Sequence, residues 1–597
     1  MTLRLLCLVV LLSLVGRAVP FSASPPPPPP SSGSSGHEGA KKLRAPPKDI
    51  AMPFMGQIKK ARSARDAIGV IADIERQGYH PNAFHYSATI SKCAKEKLVV
   101  KALGLLKRMI NQGVAPNEVV FCAVIDACAN AGQYKSAISL LNDMEDLYGV
   151  EPNVKCYNAA ISSCEKAAKW EEAVKLLRKM TEKGVKPDAI SFNAVISACE
   201  KCAEWEKALE FLDEMKEVGI PPNVRSYSAA ISACEKGKQP DIALSLLARM
   251  KEEGIQPNVF SYSSTISACE KGGAKYTETA LSLLLEMKEE GIRPNEYSYC
   301  SSISACEKGG AKYTETALSL LFEMKEARIQ PNVVSYSSTI SACEKGGGKY
   351  TETALSLLDE AKSAGINLDV KIYSAAISAC EKGGAKYTET ALSLLCEMKE
   401  EGIQPNEFSY SSAISACEKG GAKYTDNALA LFHEMKKTGV NPNDVMYNAI
   451  TKACFDSKRY SEALELVREA AGLSFKERPL PINVSTENSQ PMWDLHDLSE
   501  AMACMLLADA LHSLVHSSNE GTSPDYQDII VITGKGLKTE DPNGPVLREK
   551  VPAFLNDVAG LETTADEGNE GRFLITSSSL EKWATSGAYE NFKGLFQ

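Results

Sequence analysis

The sequence predicts a mostly α-helical protein, in which a solenoid (superhelix) of helical hairpins is followed by a small α/β domain. Two observations predict this architecture. A 37-residue unit at 259–295 returns almost unchanged four more times, up to residue 443, and looser copies precede it. A fixed period of this size is typical of a solenoid. After Gly472 the period stops, and a pattern of short strands and helices begins.

Each copy of the unit predicts two helices. In the copy at 259–295, apolar residues recur at helical spacing until Gly272 and Gly273 break the pattern. A second apolar face runs from about Tyr276 to Glu290, and Gly291 ends it. One hairpin cannot bury its apolar faces alone, so neighbouring copies are expected to stack.

Composition and period divide the chain into six segments. These are a signal-peptide-like segment at 1–20, a Pro/Ser-rich, transit-like segment at 21–47, the repeats at 48–478, a linker at 479–491, the α/β domain at 492–577 and a C-terminal tail at 578–597. Ten full copies cover 83–443, and degenerate copies at 48–82 and 444–478 have the atypical sequences expected at the ends of a solenoid.

Charge and cysteine usage exclude some classes of protein. The net charge of −10 argues against a uniformly basic nucleic-acid coat, although a basic groove on an acidic body fits the total. Eleven of the 18 cysteines occupy one register of the repeat, 35 to 37 residues apart. This spacing predicts small buried side chains at helix contacts, no metal site and a reducing compartment.

The unit ends in Gly-x-x-Pro-Asn/Asp and restarts with x-x-x-Tyr-Asn/Ser. With its length of 35 to 37 residues, this pattern resembles the pentatricopeptide repeat. The resemblance covers roughly 70% of the chain. It implies sequence-specific binding of single-stranded RNA, one base per repeat, in organellar RNA processing, stabilisation or expression. A protein-interaction scaffold of the tetratricopeptide type is the alternative.

In that family the fifth and the last residue of a repeat read the base together. The resemblance therefore implies RNA-binding pairs at Ser87/Asn117, Asn158/Asp188, Asn193/Asn223, Ser228/Asn258, Ser263/Asn295, Ser337/Asp369, Ser374/Asn406 and Ser411/Asn443. Cys122/Asn153 and Cys300/Asn332 depart from the family code and leave two bases open. With the first repeat at the 5′ end, the implied target is 5′-A-N-U-C-A-A-N-G-A-A-3′.

Two further registers predict contacts to RNA. The second residue of a repeat usually wedges between bases in the family, and here it includes Phe84, Phe260, Tyr297 and Phe408. A lysine recurs at the end of the first helix, where it could contact phosphate or simply favour a helix C-terminus. The phosphate candidates in the long copies are Lys271, Lys308, Lys345, Lys382 and Lys419.

The C-terminal segment contains Asp494–Leu495–His496, Thr533–Gly534–Lys535–Gly536 and Asn569–Glu570–Gly571. This pattern resembles the Smr (MutS-related) domain. It implies nucleic-acid binding, with Lys535 as a phosphate contact and Asp494 and His496 as the catalytic candidates for a repeat-guided endoribonuclease. Asp497 stands where the family has glycine, so a second contact site without cleavage, and no enzyme activity, is the alternative.

In the first 47 residues, Arg4 precedes an apolar core, Phe21 follows a small-residue region, and the next stretch is rich in Ser and Pro. This layout resembles the bipartite plastid leader of algae with complex plastids. We expect a plastid protein, with the mitochondrion as the alternative and no membrane contact in the mature form. The expected partners are single-stranded RNA and other organellar RNA-processing or translation factors. No cofactor is expected, apart from a divalent metal if the Smr-like domain is a nuclease.

Overall fold

A computed structural model describes residues 48–474, 492–495, 498–518, 526–533, 546–566 and 571–595. These residues confirm the predicted fold class, because helical hairpins fill most of the chain and a small mixed α/β region follows them. The chain divides into two compact units, with the boundary between Ala305 and Cys306. The predicted leader and linker lie outside the described residues.

The first unit consists of helical hairpins. Its helix pairs are Lys48–Lys60 with Ala64–Arg76, Ala83–Lys95 with Val99–Asn111, Glu118–Asn130 with Tyr134–Asp146, Val154–Lys166 with Trp170–Glu182, Ala189–Lys201 with Trp205–Glu217, Val224–Lys236 with Pro240–Glu252, and Val259–Lys271 with Thr277–Glu289. The helix Glu296–Gly309 contains the boundary between the units.

The second unit continues the pattern and adds the C-terminal domain. Its repeat helices are Thr314–Glu326, Val333–Gly346 with Thr351–Ser363, Val370–Gly383 with Thr388–Glu400, Glu407–Gly420 with Thr425–Lys437, and Asp444–Asp456 with Tyr460–Ser474. One-turn 3₁₀ helices precede the second helix in the long copies, at Ala274–Tyr276, Ala311–Tyr313, Gly348–Tyr350, Ala385–Tyr387 and Ala422–Tyr424.

The buried face of each hairpin follows the sequence period. In the copy that begins at Val259, the side chains of Tyr262, Ile266 and Cys269 are buried in the first helix, as are those of Ala280, Leu284 and Met287 in the second. The first helix ends where Gly273 adopts a φ of +90°, a conformation that glycine reaches without strain. The cysteine register is therefore packed as a small hydrophobic side chain.

The two extra residues of the long copies add bonds between hairpins. The threonine that begins each second helix donates its hydroxyl to a carbonyl of the next first helix, as from Thr388 to Ala416 (2.9 Å). The tyrosine before it reaches back to the preceding hairpin, as from the hydroxyl of Tyr387 to Oε1 of Glu352 (2.9 Å). The same threonine bond recurs from Thr277, Thr314, Thr351 and Thr425. Within each unit, the insertion thus adds hydrogen bonds between neighbouring hairpins.

We expect Thr388→Val to destabilise its neighbourhood by about 1 kcal/mol, because valine keeps the volume but loses a buried hydrogen bond. Thr388 is fully buried. Hydrogen exchange in the helix Glu407–Gly420 should accelerate about fivefold, which is the rate equivalent of that free energy. Thr181→Val, at an exposed threonine of a second helix, is the matched control. Unchanged exchange in both variants would show that the bond contributes nothing.

The C-terminal domain contains a four-stranded sheet among its described residues. Strand β1 (Met492–Asp494) pairs in parallel with β2 (Ile529–Ile532), β2 pairs antiparallel with β4 (Arg572–Ile575), and β4 pairs antiparallel with β3 (Thr564–Ala565). The helices Glu500–Ser518 and Val546–Phe554 connect these strands, and the second continues as a π-helical turn, Leu555–Ala559.

The predicted C-terminal tail is instead part of the folded domain. It forms the helices Ser577–Ala584 and Gly587–Gly594, each with a serine or threonine N-cap. The side chains of Trp583 and Phe592 are buried, and the indole N–H of Trp583 donates to the carbonyl of Ala559 (2.6 Å). The aromatic residues supply enough apolar surface to fix the segment on the domain.

Within the second unit, the domain packs against the last hairpin. The ring of Phe554 lies 5.5 Å from that of Phe455 and 6.2 Å from that of Tyr460, centroid to centroid. Arg468 pairs with Asp509 at 2.5 Å. Across the residues that the structure describes, no helix combines the length and apolarity needed to cross a membrane.

Candidate nucleic-acid interface

The last residue of each repeat caps the first helix of the next. Oδ1 of Asn258 accepts the backbone N–H groups of Phe260 (3.0 Å) and Ser261 (2.9 Å), and the hydroxyl of Ser261 accepts the N–H of Asn258 (2.9 Å). This reciprocal capping box satisfies donors that a helix start otherwise leaves unpaired. The Asn and Asp side chains at repeat ends therefore have a structural role as helix caps, in addition to any role in binding.

The structure also brings most of the predicted base-reading pairs together. A side-chain hydrogen bond joins the fifth residue to the last residue of the repeat in five pairs: Asn158–Asp188 (3.0 Å), Asn193–Asn223 (3.4 Å), Ser228–Asn258 (3.4 Å), Ser263–Asn295 (3.3 Å) and Ser374–Asn406 (3.3 Å). Residues about 30 positions apart thus form one polar unit per repeat.

The first predicted pair, Ser87 with Asn117, does not form this bond. Oδ1 of Asn117 accepts the backbone N–H of Val120 (3.1 Å), as the N-cap of the helix Glu118–Asn130. The hydroxyl of Ser87 donates within its own helix, to the carbonyl of Phe84 (3.1 Å). Each side chain is satisfied locally, so the expected polar unit is absent here, and the contact of Asn117 with RNA stays a prediction.

Asp369 also departs from the expected pairing with Ser337. Its Oδ1 accepts the backbone N–H of Ile372 (2.9 Å), as the N-cap of the helix Val370–Gly383, and makes no bond to Ser337. The hydroxyl of Ser337 is buried and has no hydrogen-bond partner among the described residues. A buried hydroxyl without a partner costs free energy, which an incoming polar group could recover. The guanine-reading role of this pair stays a prediction.

The last predicted pair, Ser411 with Asn443, also lacks a hydrogen bond between its two side chains. Oδ1 of Asn443 accepts the backbone N–H of Met446 (3.0 Å), and its Nδ2 donates to Oε1 of Glu407 (2.7 Å). Both ends of the amide therefore have partners other than Ser411. In these three repeats the cap is formed and the contact between the two reading residues is not.

Asp188 is the acidic member of one pair that does form. Burial raises its pKa, but the backbone N–H of Ser191 and the side-chain amide of Asn158 outweigh that effect, and the net pKa lies below its ordinary value. In all the hydrogen bonds found for this side chain, Oδ1 is the acceptor. Asp188 is therefore a carboxylate at neutral pH, and a carboxylate is a pure acceptor.

The second residue of each first helix is exposed, although it is often large and apolar. The exposed fractions are 68% for Phe84, 66% for Phe260 and 73% for Phe408. Smaller apolar residues at this register are also exposed: Val119, Ile190, Val334 and Val445. Lys155, Arg225 and Lys371 occupy it in other copies and are exposed as well. Apolar side chains that recur in water at one register are typical of a binding surface.

The predicted phosphate lysines form an ordered pattern with glutamates. Nζ of Lys271 lies 2.7 Å from a carboxylate oxygen of Glu235, which is one repeat earlier and 4% exposed. Lys419 pairs with Glu381 in the same way, and Lys345 donates to the carbonyl of Glu307 (2.9 Å). Lys382 lies 3.6 Å from its neighbour Glu381. Lys308 also has a partner.

These glutamates were absent from the predicted site. The sequence contains a signal for them, because Cys-Glu-Lys recurs in one register, but the pairing joins residues 36 positions apart. The hydroxyl of Tyr297, a second-position residue, also donates to Glu235 (2.6 Å). Nζ of Lys371, at the same register, lies 3.2 Å from Glu307. In each unit the exposed second positions and the Glu–Lys pairs therefore border the same surface.

In the C-terminal domain, the described motif residues converge at one edge of the sheet. Asp494 ends β1 beside Ile532, the last residue of β2. Thr533 follows β2, and both its N–H (2.9 Å) and its hydroxyl (3.2 Å) donate to the carbonyl of Gly571. His496 and Lys535 lie outside the described residues. The described residues contain no group of three His, Cys, Asp or Glu side chains that could hold a metal ion.

The same domain contacts a residue at one of the predicted base-reading positions. The hydroxyl of Ser499, at the start of the helix Glu500–Ser518, donates to Oδ1 of Asn448 (3.0 Å). Asn448 is the fifth residue of the degenerate copy that begins at Asp444. Asp494 precedes Ser499 by only five positions, so the sheet edge lies near the last hairpin.

Family models match this architecture. The model described as the pentacotripeptide-repeat region of PRORP matches residues 41–217 and 338–480, which is more than half of the chain. The chain belongs to the pentatricopeptide repeat family. A second model, the pentatricopeptide repeat domain, matches residues 211–271 and 282–345.

Solved pentatricopeptide repeat structures are similar to this chain. The crystal structure of the protein PPR10 from maize is 20% identical over 78% of this chain and 72% of that one, with a TM-score of 0.45. PPR10 in complex with an 18-nt psaJ RNA element is 22% identical over 78% and 68%, with a TM-score of 0.32. The pentatricopeptide repeat domain of Arabidopsis thaliana protein-only RNase P 1 in complex with tRNA is 19% identical over 29% and 90%, with a TM-score of 0.27. No curated protein matches the chain.

Proposed function

We propose that this pentatricopeptide repeat protein binds single-stranded RNA in a sequence-specific manner and acts in organellar RNA processing, stabilisation or expression. The observation that carries the proposal is the contact between the fifth and last residues of five repeats, beside a register of exposed apolar side chains. One polar pair and one stacking residue per repeat match the chemistry of an unstacked base, which offers both a polar edge and an apolar face.

The pairs differ in their hydrogen-bonding chemistry as a base-reading code requires. Asp188 is an acceptor, which suits the N3–H donor of uracil, whereas Asn223 carries an amide donor, which suits the N3 acceptor of cytosine. The Ser/Asn pairs are assigned to adenine, and Ser337/Asp369 to guanine, through the family resemblance. The proposed target is 5′-A-N-U-C-A-A-N-G-A-A-3′.

Fluorescence anisotropy tests this function. We expect the full-length protein to bind the target at least about tenfold more tightly than a copy with its central C-A-A changed to U-G-G, because each buried polar group left unpaired costs about 1–3 kcal/mol. Affinity should also fall as salt rises, since lysines replace counterions on phosphate. Equal affinity for both RNAs would contradict base reading. No salt-dependent affinity for either would favour the tetratricopeptide-like scaffold.

The position of the C-terminal domain favours a second candidate, a repeat-guided endoribonuclease. We infer an Smr-like domain because Asp494, Thr533 and Gly571, which belong to its three motifs, converge at one sheet edge. Ser499 holds this domain on Asn448, just beyond the tenth reading pair, so cleavage would occur near the 3′ end of the bound RNA. An Asp494 carboxylate and a His496 imidazole could activate water there.

Incubating 3′-extended target RNA with the protein and with its Asp494→Ala/His496→Ala variant separates the two candidates. Cleavage by the wild type alone, near the 3′ end of the target, would establish the enzyme. Intact RNA with both proteins would leave the domain as a second contact site.

We further propose, from the leader sequence, that the protein is located in the plastid, with the mitochondrion as the alternative. Fusing residues 1–47 to a fluorescent protein tests it, and cytosolic fluorescence would contradict it.

A further inference from the structure

The side chain of Tyr297 crosses the surface that bears the reading pairs. Its hydroxyl donates to Oε1 of Glu235 (2.6 Å), which belongs to the copy two repeats earlier. It also lies 2.9 Å from the hydroxyl of Ser267, in the repeat between them. This one side chain therefore connects the first helices of three consecutive repeats, and all three residues belong to the first unit.

The acceptor of this contact is a buried carboxylate. Oε1 of Glu235 accepts bonds from Tyr297, from the hydroxyl of Ser267 (3.0 Å) and from Nζ of Lys271 (2.7 Å). Hydrogen bonds to an ionised acceptor are stronger than those between neutral groups. Burial and the neighbouring carboxylate raise the pKa of Tyr297 to about 12, so its hydroxyl keeps the proton that it donates.

The contact changes how the ring is presented to solvent. Tyr297 is 44% exposed, whereas Phe260 and Phe408, at the same position of their repeats, are 66% and 73% exposed. A phenylalanine has no hydroxyl and cannot make this bond. The bond to Glu235 therefore holds the tyrosine ring down over the preceding repeat.

The repeat beneath this ring has a covered reading position. Ser263, the fifth residue of that repeat, is 2% exposed, and so is Ser267, one helical turn further along. In the repeat before it, Ser228 and Ser232 occupy the same two positions and are both partly exposed. Both repeats carry a Ser/Asn reading pair. The sixth reading position is therefore covered by Tyr297, while the fifth remains accessible.

The same reach across a repeat also occurs in the second unit. Nζ of Lys371, a second-position residue, lies 3.2 Å from Oε2 of Glu307, again two repeats earlier. The fifth residue of the repeat between them, Ser337, is likewise 2% exposed. Lys371 is half exposed, so this ion pair contributes less than the bond of Tyr297. The second position can thus reach the glutamate register in both units.

We propose that Tyr297 determines selectivity at the sixth base, as a latch that covers this reading position in the free protein. This role rests on the proposed RNA-binding function, in which Ser263 and Asn295 read the sixth base. That base would lie between the side chains of Phe260 and Tyr297, the second-position residues on either side of it. It can enter only when the hydroxyl of Tyr297 leaves Glu235.

The latch lowers selectivity at the base that it covers. A matched sixth base must break the hydroxyl bond of Tyr297, whereas a mismatched base can stay outside and leave the bond intact. The cost of opening is therefore subtracted only from the affinity for matched RNA, because a ligand pays for a conformational change only when it binds the changed state. We expect weaker discrimination at the sixth base than at the fifth, although the same kind of pair reads both.

Tyr297→Phe tests the latch, because it keeps the ring and removes only the hydroxyl. Fluorescence anisotropy compares the target RNA with copies that carry uracil at the fifth or at the sixth base, or an abasic sixth nucleotide. We expect Tyr297→Phe to bind the target about threefold or more tightly than the wild type and to discriminate equally at both bases. Both proteins should bind the abasic RNA equally, because it leaves the latch closed.

Phe260→Tyr is the reciprocal variant. Two repeats before Phe260, Oε1 of Glu200 already accepts bonds from Ser232 (3.1 Å) and Lys236 (2.9 Å), as Glu235 does from its own serine and lysine. A hydroxyl at position 260 should therefore form a new latch over the fifth reading position. We expect discrimination at the fifth base to fall about threefold, to the level of the sixth.

Alkylation of an introduced cysteine detects the latch without RNA. Peptide mass spectrometry should show that Ser267→Cys reacts with iodoacetamide at least about threefold faster when Tyr297→Phe is added. Ser232→Cys, at the same register of the preceding repeat, should react at one rate in both backgrounds. Equal rates for Ser267→Cys, or unchanged or weaker binding of the target by Tyr297→Phe, would overturn the proposal. If alkylation accelerates but no RNA binds, the latch stands and the proposed RNA-binding function fails.

Discussion

Replacing Phe84, Phe260 and Phe408 together by alanine should weaken binding of the target RNA by at least about 100-fold. Each ring is mostly exposed at the second position of a first helix, where it can stack on a base. Stacking on an aromatic side chain contributes about 1–3 kcal/mol per base, so three losses amount to about 3 kcal/mol or more. The change should appear in the dissociation constant measured by fluorescence anisotropy.

The same variant should unfold at an unchanged temperature, because exposed side chains contribute little packing. Phe322→Ala is the matched control. Its ring is 66% exposed, like that of Phe260, but it lies on a second helix, away from the reading pairs. We expect no change in RNA affinity from Phe322→Ala. Equal loss in both variants, or in neither, would show that the second-position rings are not the RNA surface.

Gly383→Ala should destabilise the second unit by about 1–3 kcal/mol, as overpacking of a filled site does. A Cβ atom at this glycine would lie 2.3 Å from the ring of Tyr387 and 2.6 Å from the hydroxyl of Thr351. The same close approach occurs at Gly346 and Gly420. The glycine therefore allows the tyrosine and the threonine to make their bonds between hairpins. Urea unfolding followed by circular dichroism measures the loss.

Gly104→Ala is the control for that variant. Gly104 lies inside the helix Val99–Asn111, and a Cβ atom there would meet nothing within 4 Å. Alanine in an open helix interior should stabilise by about 0.5–1 kcal/mol. If both substitutions shift unfolding in the same direction, the tight packing around Gly383 does not contribute to stability.

The hairpins could be predicted because their signals are local. Apolar spacing, the glycine at each break and the Pro-Asn or Pro-Asp end fix each helix within a few residues, and repetition multiplies the signal. The bonds between hairpins could not be predicted. The contacts of Glu235 with Lys271 and Tyr297 join residues 36 and 62 positions apart, and only the stacking of the hairpins brings them together.

The predicted reading pairs show that the position of a residue within the repeat is not enough to predict its side-chain contacts. The family resemblance placed Asn117 and Asp369 beside the fifth residues of their repeats, but in the structure both side chains cap a helix without bonding to Ser87 or Ser337. Asn and Asp at this register have two possible partners, the helix start that follows and the side chain about 30 positions earlier. In the five pairs that form, the side chain bonds to both partners, as Asn258 does to Ser228 and to the start of its own helix, whereas Asn117 and Asp369 bond only to the helix start. Whether the second bond forms depends on packing that the repeat pattern does not encode.

Other features depend on packing that could not be predicted from the sequence. The boundary at Ala305 lies inside a helix between nearly identical copies, so no change in composition marks it. The last residues looked like a tail because their helices are short, yet Trp583 and Phe592 bury them on the domain. The contact of Ser499 with Asn448 likewise required the structure.

A compensatory swap of one reading residue tests the central claim most directly. Asp188→Asn changes the third reading pair from Asn/Asp to Asn/Asn, and because asparagine caps helices as well as aspartate does, the fold should be kept. We predict that the preferred third base changes from U to C, with a shift in relative affinity of about tenfold or more. Asn223→Asp should produce the reverse change at the fourth base, from C to U. Unchanged base preference at both positions, in proteins that remain folded, would contradict base reading by these repeats.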